Sequence, residues 1–309
     1  MALGGTDLNL LLPLKVLLEE GNVTRAGQRL NLSQPAMSAA LGRLRRRFHD
    51  ELLTRNGRDY VLTPFAVELL PEVQHVVRLM EGALGVAESF DPARSERRFG
   101  MVMSDYAISV VHEPLVSRVN ELAPGVRLRI DPMTPETRSS ERVLLDYDAL
   151  VAPLGFGFAG ESRPLWRDRM VCLVDGRNSR LRDGGLTLDD LRELPHAAAW
   201  FGRGVMTPVD RVFGELGIER RIEVMLAGWL ALPFVIEGTE LVAVVPERLA
   251  RIHTRADDSA LVQVEPPFGR VLLAEGYWFT PDRLTDPAHQ WLFARLDEVG
   301  AALAPDNPS

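Results

Sequence analysis

The sequence predicts an α/β protein that carries an all-α-type winged helix-turn-helix at its N-terminus. Three observations support this prediction. Residues 22–63 have the pattern of a short helix, a tight turn, a longer helix with a basic end and a small hairpin. Residues 65–88 keep a helical spacing of apolar side chains. From Phe99 onward strands alternate with helices, an order that gives parallel pairing in an α/β fold.

The longer helix of the N-terminal module has one apolar face. Its apolar residues recur at spacings of four, three and four, which places them on the inward side: Met37, Leu41, Leu44 and Phe48. We expect the other side to face outward, with small, polar or basic residues: Gln34, Ser38, Ala39, Gly42 and Arg45. Such a surface lets a helix approach base edges in the major groove of DNA.

Several residues of this module are expected to contact DNA. Gln34 can offer a paired donor and acceptor to adenine, and the arginines supply attraction to phosphate. Ser33 is expected to cap the helix, with Pro35 in its first turn. Asn56-Gly57 between two apolar runs predicts a hairpin, here a basic wing. The predicted DNA-contacting set is Thr24, Ser33, Gln34, Pro35, Ser38, Arg43, Arg45, Arg46, Arg55 and Arg58.

A family resemblance rests on the same residues. The run Ser33-Gln34-Pro35-Ala36-Met37-Ser38, Leu44 and the wing from Arg55 to Leu62-Thr63 resemble the winged helix-turn-helix of LysR-type transcriptional regulators. The strings from Ala36 to Arg45 and from Asp50 to Leu53 are similar to the nodulation-regulator branch. Gly27 departs from the usual Ala, and Pro64-Phe65-Ala66 replaces the usual entry into the next helix. The match is specific over residues 7–64.

Composition limits the class of protein. A chain of 309 residues is expected to form two or more domains, and 46% apolar with 25% charged residues is typical of soluble globular proteins. No apolar run approaches ~20 residues, the N-terminus lacks the basic start of a signal peptide, and Cys172 is the only cysteine. We therefore expect a cytoplasmic protein with no membrane association and no internal disulfide.

The formal charge is unevenly distributed along the chain. Residues 1–65 hold nine Lys and Arg against six Asp and Glu, a net charge of +3, whereas the whole chain carries −8. The remainder therefore carries −11. Because local charge rather than total charge sets the attraction to DNA, a basic module on an acidic body is compatible with DNA binding.

Residues 65–88 form a second long helical segment. Leu69, Val73, Val76, Met80 and Ala83 keep a four-three-four-three spacing, as in the seam between two helices. A core helix within one domain is the alternative interpretation. Because LysR-type proteins dimerise through this helix, the resemblance favours a dimerisation linker in a homodimer or homotetramer. Pro71 is expected to kink or restart the helix.

The remainder of the chain predicts two α/β segments. Strands are expected at 100–104, 126–130 and 149–154, then at 170–174, 197–200, 222–225, 241–245 and 261–264. The resemblance implies a two-lobed effector domain like a periplasmic solute-binding protein. The predicted boundaries are 1–64 for the DNA-binding domain, 65–88 for the linker helix, 89–98 for a hinge, 99–160 with 266–309 for lobe I, and 161–265 for lobe II.

Ligands of parallel sheets bind beyond the carboxyl ends of strands. The residues expected there are Ser104, Asp105, Met133, Thr134, Pro153, Phe201, Arg203, Gly228 and Trp229. Hydroxyls and free amides would suit a carboxylate or phenol, and the aromatic side chains an aromatic ring, so we expect a small organic effector. The alternatives are core packing for the aromatic residues and simple helix caps for Ser104 and Thr134.

Patterns typical of catalysis were not found. The six histidines lack metal-ligand spacing, and the chain contains neither Gly-x-Ser-x-Gly nor a phosphate-binding loop. Cys172 lies in an apolar strand and is expected to be inert. We therefore predict a regulator that binds double-stranded DNA and a small effector, with no catalytic residues, metal or cofactor. An enzyme with a fused targeting module and an architectural DNA-binding protein are the rival interpretations.

Overall fold

A computed structural model describes residues 7–56, 59–84, 90–139, 142–255 and 259–304. The chain divides into two compact units. The first comprises Met1–Ser89 with Asp282–Gln290, and the second comprises Phe90–Pro281 with Trp291–Ser309. Over the described residues, no helix has both the length and the apolar character needed to cross a membrane.

The first unit contains three helices and a hairpin, followed by one long helix. Its elements are α1 (Leu11–Glu20), α2 (Val23–Arg29), α3 (Gln34–Phe48), β1 (Leu53–Asn56), β2 (Asp59–Leu62) and α4 (Pro64–Leu84). β1 and β2 are antiparallel, with Thr54 opposite Val61. The predicted order of helix, turn, basic helix and hairpin is confirmed.

The core of the first unit forms where α1, α3 and α4 meet. Its fully enclosed side chains include Leu17 of α1 and Met37 of α3, each 0% exposed, together with Leu44. Phe48 packs against this core at the end of α3, as its spacing predicts. Burial of these apolar groups fixes α3 in place, so its opposite side is the one left for solvent.

Helix α4 corrects the prediction of a single apolar seam. Val73 and Val77 are buried in the core of the first unit, and Leu69 packs against it. Val76 and Met80 instead lie on the exposed side, 41% and 38% accessible. The predicted seam is therefore not buried as one face in this unit, because α4 packs on α1 along the side of Val73 and Val77 and leaves Val76 and Met80 beside that contact. The contact of this helix with a second copy stays a prediction. The side chain of Ala83 lies outside the described residues.

Pro71 lies inside α4, which runs without interruption from Pro64 to Leu84. Of the two expected effects, a restart of the helix does not occur, and a kink stays a prediction.

The remaining elements alternate strands and helices. In chain order they are β3 (Arg98–Met103), α5 (Asp105–Leu122), β4 (Arg127–Pro132), α6 (Pro135–Ser139), α7 (Val143–Asp146), β5 (Ala149–Pro153), β6 (Glu161–Asp175), α8 (Leu188–Glu193), β7 (Pro195–Ala199), α9 (Pro208–Glu215), β8 (Arg221–Leu226), α10 (Leu232–Ile236), β9 (Ala243–Pro246), α11 (Glu247–Thr254), β10 (Leu261–Val264), β11 (Leu272–Phe279) and α12 (Pro287–Leu303).

Two sheet regions of the second unit share the long strand β6. The strand order is β10-β6-β11-β5-β3-β4, with β9 also paired to β6. We call the region of β3, β4, β5 and β11, with α5, lobe I, and the region of β7 to β10, with α8 to α11, lobe II. β3 is parallel to both β4 and β5, and β7 is parallel to β8, as the alternating order predicts.

β6 and β11 differ from the sequence-based expectation. The predicted strand 170–174 is only the second half of the 15-residue β6, whose first half pairs with β11. β11 itself was not predicted. Most of its residues are buried, so it lacks the alternation of apolar and polar residues that marks a half-exposed strand.

Candidate nucleic-acid interface and ligand cleft

The N-terminus of α3 is capped by Ser33, whose Oγ accepts a hydrogen bond from the amide of Ala36 at 3.3 Å. Gln34 and Pro35 follow as the first two helical residues, and both are exposed. Ser38 and Ala39 are also exposed, because they lie away from the buried face of α3. Gln34 and Ser38 are therefore free to contact the base edges of a DNA groove that α3 enters.

The preceding helix α2 presents Thr24 at its exposed first turn. The Asn22 side chain accepts the amides of Thr24 and Arg25, at 2.9 and 3.0 Å. The cap is therefore Asn22, and the Thr24 hydroxyl is not used for this purpose.

The four arginines of α3 do not have equivalent surroundings. Arg46 and Arg47 are exposed, and Arg43 pairs with Asp7 at 3.3 Å. Arg45 joins α3 to the wing: its Nε donates to the Glu51 carbonyl at 2.9 Å and its Nη2 to the Leu53 carbonyl at 3.2 Å. Sequence alone did not indicate this bracing role, because the two carbonyls lie in the loop and strand that follow the helix.

A second set of contacts fixes the base of the wing. The Asp50 carboxylate accepts the amide of Leu52 and the hydroxyl of Thr63, both at 2.7 Å. Thr63 Oγ1 also accepts the amide of Ala66 at 3.1 Å and so caps α4. Arg55 is exposed on β1. Arg58 lies outside the described residues.

In lobe I, two predicted effector residues are helix caps. Ser104 is 3% exposed, and its Oγ accepts the amide of Ala107 at 3.1 Å. Thr134 Oγ1 accepts the amide of Thr137 at 3.2 Å, and Thr137 Oγ1 accepts the amide of Thr134 at 2.8 Å. The cap alternative is therefore realised for both, and their contact with an effector stays a prediction.

Asp105 connects the two lobes. Its Oδ2 accepts a hydrogen bond from the amide of Leu230 at 2.7 Å, 125 residues away in the chain. Gly228 lies directly against this carboxylate, with φ at +109°, and a Cβ added there would overlap it. Burial raises the pKa of Asp105, while hydrogen bonds from backbone amides, first that of Leu230, oppose the increase.

Aromatic side chains fill the space beside this contact. Trp229 is 2% exposed, with Phe201 at 4.6 Å and Tyr106 at 6.0 Å between ring centroids. Phe156 of lobe I lies 6.2 Å from Phe201 of lobe II. The structure thus brings Asp105, Phe201, Gly228 and Trp229 together, and Tyr106 joins them although the sequence did not single it out.

The other predicted effector residues are more dispersed. Met133 packs against the apolar cluster around Trp278 in lobe I, Pro153 is buried at the end of β5, and Arg203 is exposed.

Two buried carboxyl groups behind the cleft were missed. Asp168 accepts a hydrogen bond from the Tyr106 hydroxyl, whose pKa is raised by burial and by that carboxylate. Glu275 is 0% exposed, and neither of its oxygens has a hydrogen-bond partner. Burial, then the charges of Asp168 and Asp105, raise its pKa well above the usual value. For Glu275, the signal that could have identified it was a single acid within an otherwise apolar strand. Asp168 lies between Arg167 and Arg169, so its strand carried no such signal.

Other reactive groups lie outside this cleft. Cys172 is buried in β6, and burial raises the pKa of its thiol to about 12, so the reactive thiolate is disfavoured. Among residues 7–56, 59–84, 90–139, 142–255 and 259–304, no group of three or more metal-ligating side chains was found.

Comparison with known proteins gives matches over most of the chain. Residues 8–67 match the family described as bacterial regulatory helix-turn-helix protein, lysR family, and residues 93–301 match the LysR substrate binding domain. Nodulation protein D of Bradyrhizobium sp. (strain ANU 289) is 35% identical, and the alignment covers 99% of this chain and 90% of that protein. The prediction of a LysR-type, nodulation-regulator-like sequence is confirmed.

Solved structures show the same architecture. The probable transcriptional regulator PA0477 from Pseudomonas aeruginosa superposes with a TM-score of 0.66 at 28% identity, covering 96% of this chain and 98% of that one. Full-length CbnR complexed with its target DNA superposes with a TM-score of 0.52 at 18% identity, covering 96% and 100%. The latter likeness shows the fold alone.

Proposed function

This chain belongs to the LysR family of bacterial transcriptional regulators, and from that premise we propose that it reads a specific DNA site and responds to a small organic effector held between its two lobes. The family is one of regulators rather than enzymes. The observation that carries the proposal is the exposed face of α3, which is fixed by a buried apolar face and a capped N-terminus.

We assign the DNA contacts by exposure and chemistry. Gln34 and Ser38 lie on the exposed side of α3 and would read base edges in the major groove. Arg43, Arg46 and Arg55 would bind phosphates, together with Thr24 and Ser33 near the start of the helices and Arg58 in the wing. Pro35 has no N–H and would make only van der Waals contact with DNA. Arg45 is already bound to carbonyls of the wing, so its main role would be to hold the wing at a fixed angle to α3.

The exposed side of α4 supports assembly into a homodimer. Val76, Leu79 and Met80 lie on this side and are 38–47% accessible. An apolar stripe of this kind is stabilised when it packs on its equivalent in a second copy. A tetramer would require a further contact between effector domains. From the DNA-binding role we propose that the protein acts in the cytoplasm.

We propose that the linker runs from residue 65 to 88 and the hinge from 89 to 98, with lobe I at 99–160 and 266–309 and lobe II at 161–265. An effector would shift the equilibrium between arrangements of the lobes, and the shift would change which half-sites a dimer reaches together. An architectural DNA-binding protein is disfavoured, because such a role does not require a substrate-binding domain over residues 93–301.

The test is a comparison of cognate and random DNA. A duplex site is first selected from a random library with the wild-type protein. Gln34→Ala should weaken binding to that site by about 1–3 kcal/mol and leave random DNA almost unchanged, because the lost contact is to a base. Arg46→Ala is the matched control. It should weaken binding to the selected site and to random DNA alike, and it should reduce the salt dependence of the affinity. An unchanged ratio of the two affinities in Gln34→Ala would contradict the assignment.

A further inference from the structure

The contact between lobes is made by a negative charge that belongs to the protein. Asp105 Oδ2 accepts the amide of Leu230 at 2.7 Å, and the amide of Trp229 also stabilises the carboxylate. Backbone amides at a turn are the groups that a carboxylate ligand would engage. In this chain a side chain of lobe I already occupies that place on lobe II.

Gly228 shows how closely the two lobes approach at this point. Its φ of +109° lies in a region that other residues rarely adopt, and a Cβ would overlap the carboxylate of Asp105. The turn is therefore shaped around Asp105. The backbone conformation of Gly228 and its lack of a side chain both permit the contact with this carboxylate.

We infer that Asp105 is a built-in anionic ligand of the 228–230 turn, so the cleft closes on the protein's own carboxylate and selects effectors that lack one. The statement about effectors rests on the proposed function. A carboxylate effector would have to displace Asp105 and leave a second negative charge in a poorly solvated space. The carboxyl groups of Asp105 and Asp168 both act electrostatically on the buried Glu275, so this part of the cleft is already rich in acidic groups.

The inference can be tested by chemical rescue in the full-length chain. Asp105→Ala removes the carboxylate and leaves the amides of Trp229 and Leu230 available to a small anion. We expect its Tm to fall, and sodium formate to restore at least half of the loss relative to sodium chloride at the same ionic strength. Wild type should respond equally to both salts, because its site is filled.

Asp105→Asn is the matched variant. Its side-chain oxygen can still accept one amide, so we expect a Tm lower than wild type by about 2–4 °C and no rescue by formate, because the amide group fills the space. If Asp105→Ala does not fold in either salt, Asp105→Asn decides the question. A wild-type Tm in Asp105→Asn would then overturn the inference.

Sodium benzoate tests the selection of effectors. Calorimetry should detect no benzoate binding to wild type and measurable binding to Asp105→Ala. Equal binding to both proteins, or an equal formate response in both, would overturn the inference. These measurements use no DNA. If only Asp105→Ala responds to formate but the wild-type protein selects no DNA site, the proposed function is contradicted. Asp105 would then remain a ligand that bridges the two lobes.

Discussion

Glu275 lies within β11 with its carboxyl group enclosed by protein and without a hydrogen-bond partner. The charged groups that face it are Asp168 and Asp105, and both carboxylates disfavour its ionisation. A neutral carboxylic acid is the form that such surroundings tolerate, because an unpaired buried charge is far more costly than a buried neutral group.

This burial predicts a pH dependence of stability. The pKa of Glu275 is raised in the fold above the usual value of 4.5, so the folded state keeps a proton that the unfolded state releases. The part of the free energy of unfolding that is linked to Glu275 is highest below pH 4.5. It declines as the pH rises towards the folded pKa of Glu275, by up to about 1.4 kcal/mol per pH unit. Glu275→Gln should remove this decline in denaturant unfolding between pH 5 and 8. The exposed control Glu215→Gln should keep the decline. If the free energy of unfolding varied with pH in the same way in wild type, Glu275→Gln and Glu215→Gln, this prediction would be refuted.

Residue-level contacts divide into those that sequence can predict and those that it cannot. The caps at Ser33 and Ser104 were predictable, because each side chain accepts a backbone amide three residues ahead. The partner of Asp105 lies 125 residues away, and no local pattern encodes it. For the same reason the site prediction found most of the strand ends but neither Tyr106 nor the acids behind it.

Among the elements, α4 serves two surfaces at once. Val73 and Val77 stabilise the first unit, while Val76, Leu79 and Met80 lie on the exposed side. Sequence spacing identified an amphipathic helix correctly but could not assign its residues to these two surfaces, because the first unit and a second copy offer similar apolar partners.

The two surfaces of α4 can be separated by mutation. Val76→Asp should abolish dimerisation in sedimentation experiments and weaken binding to the selected DNA site, with little change in the free energy of unfolding, since Val76 is 41% exposed. Val77→Ala is the matched change on the buried side, and it should lower that free energy by about 1–3 kcal/mol while the dimer persists. A wild-type dimer in Val76→Asp would exclude this face of α4.

At the scale of the whole molecule, the chain folds as two compact units, for which we propose different ligands, DNA for the first and a small effector for the second. Chains of this kind often depart from two-state unfolding. We expect calorimetry to resolve two transitions, with the selected DNA duplex raising only that of the first unit, by about 2.7 kcal/mol at 100 times Kd. Val77→Ala should lower the same transition, and Glu275→Gln should affect only the other. A single transition that responds to both substitutions would contradict this.

The strand order of the second unit also has a consequence for synthesis on the ribosome. β5 ends at Pro153, but its antiparallel neighbour β11 begins only at Leu272. At translation speeds of about 5–20 residues per second, the nascent chain waits on the order of ten seconds with that edge uncovered. An uncovered edge invites pairing with other chains. Rare codons or pauses between these two strands would lengthen this exposure, so translation rate in that stretch of the gene should influence the yield of native protein.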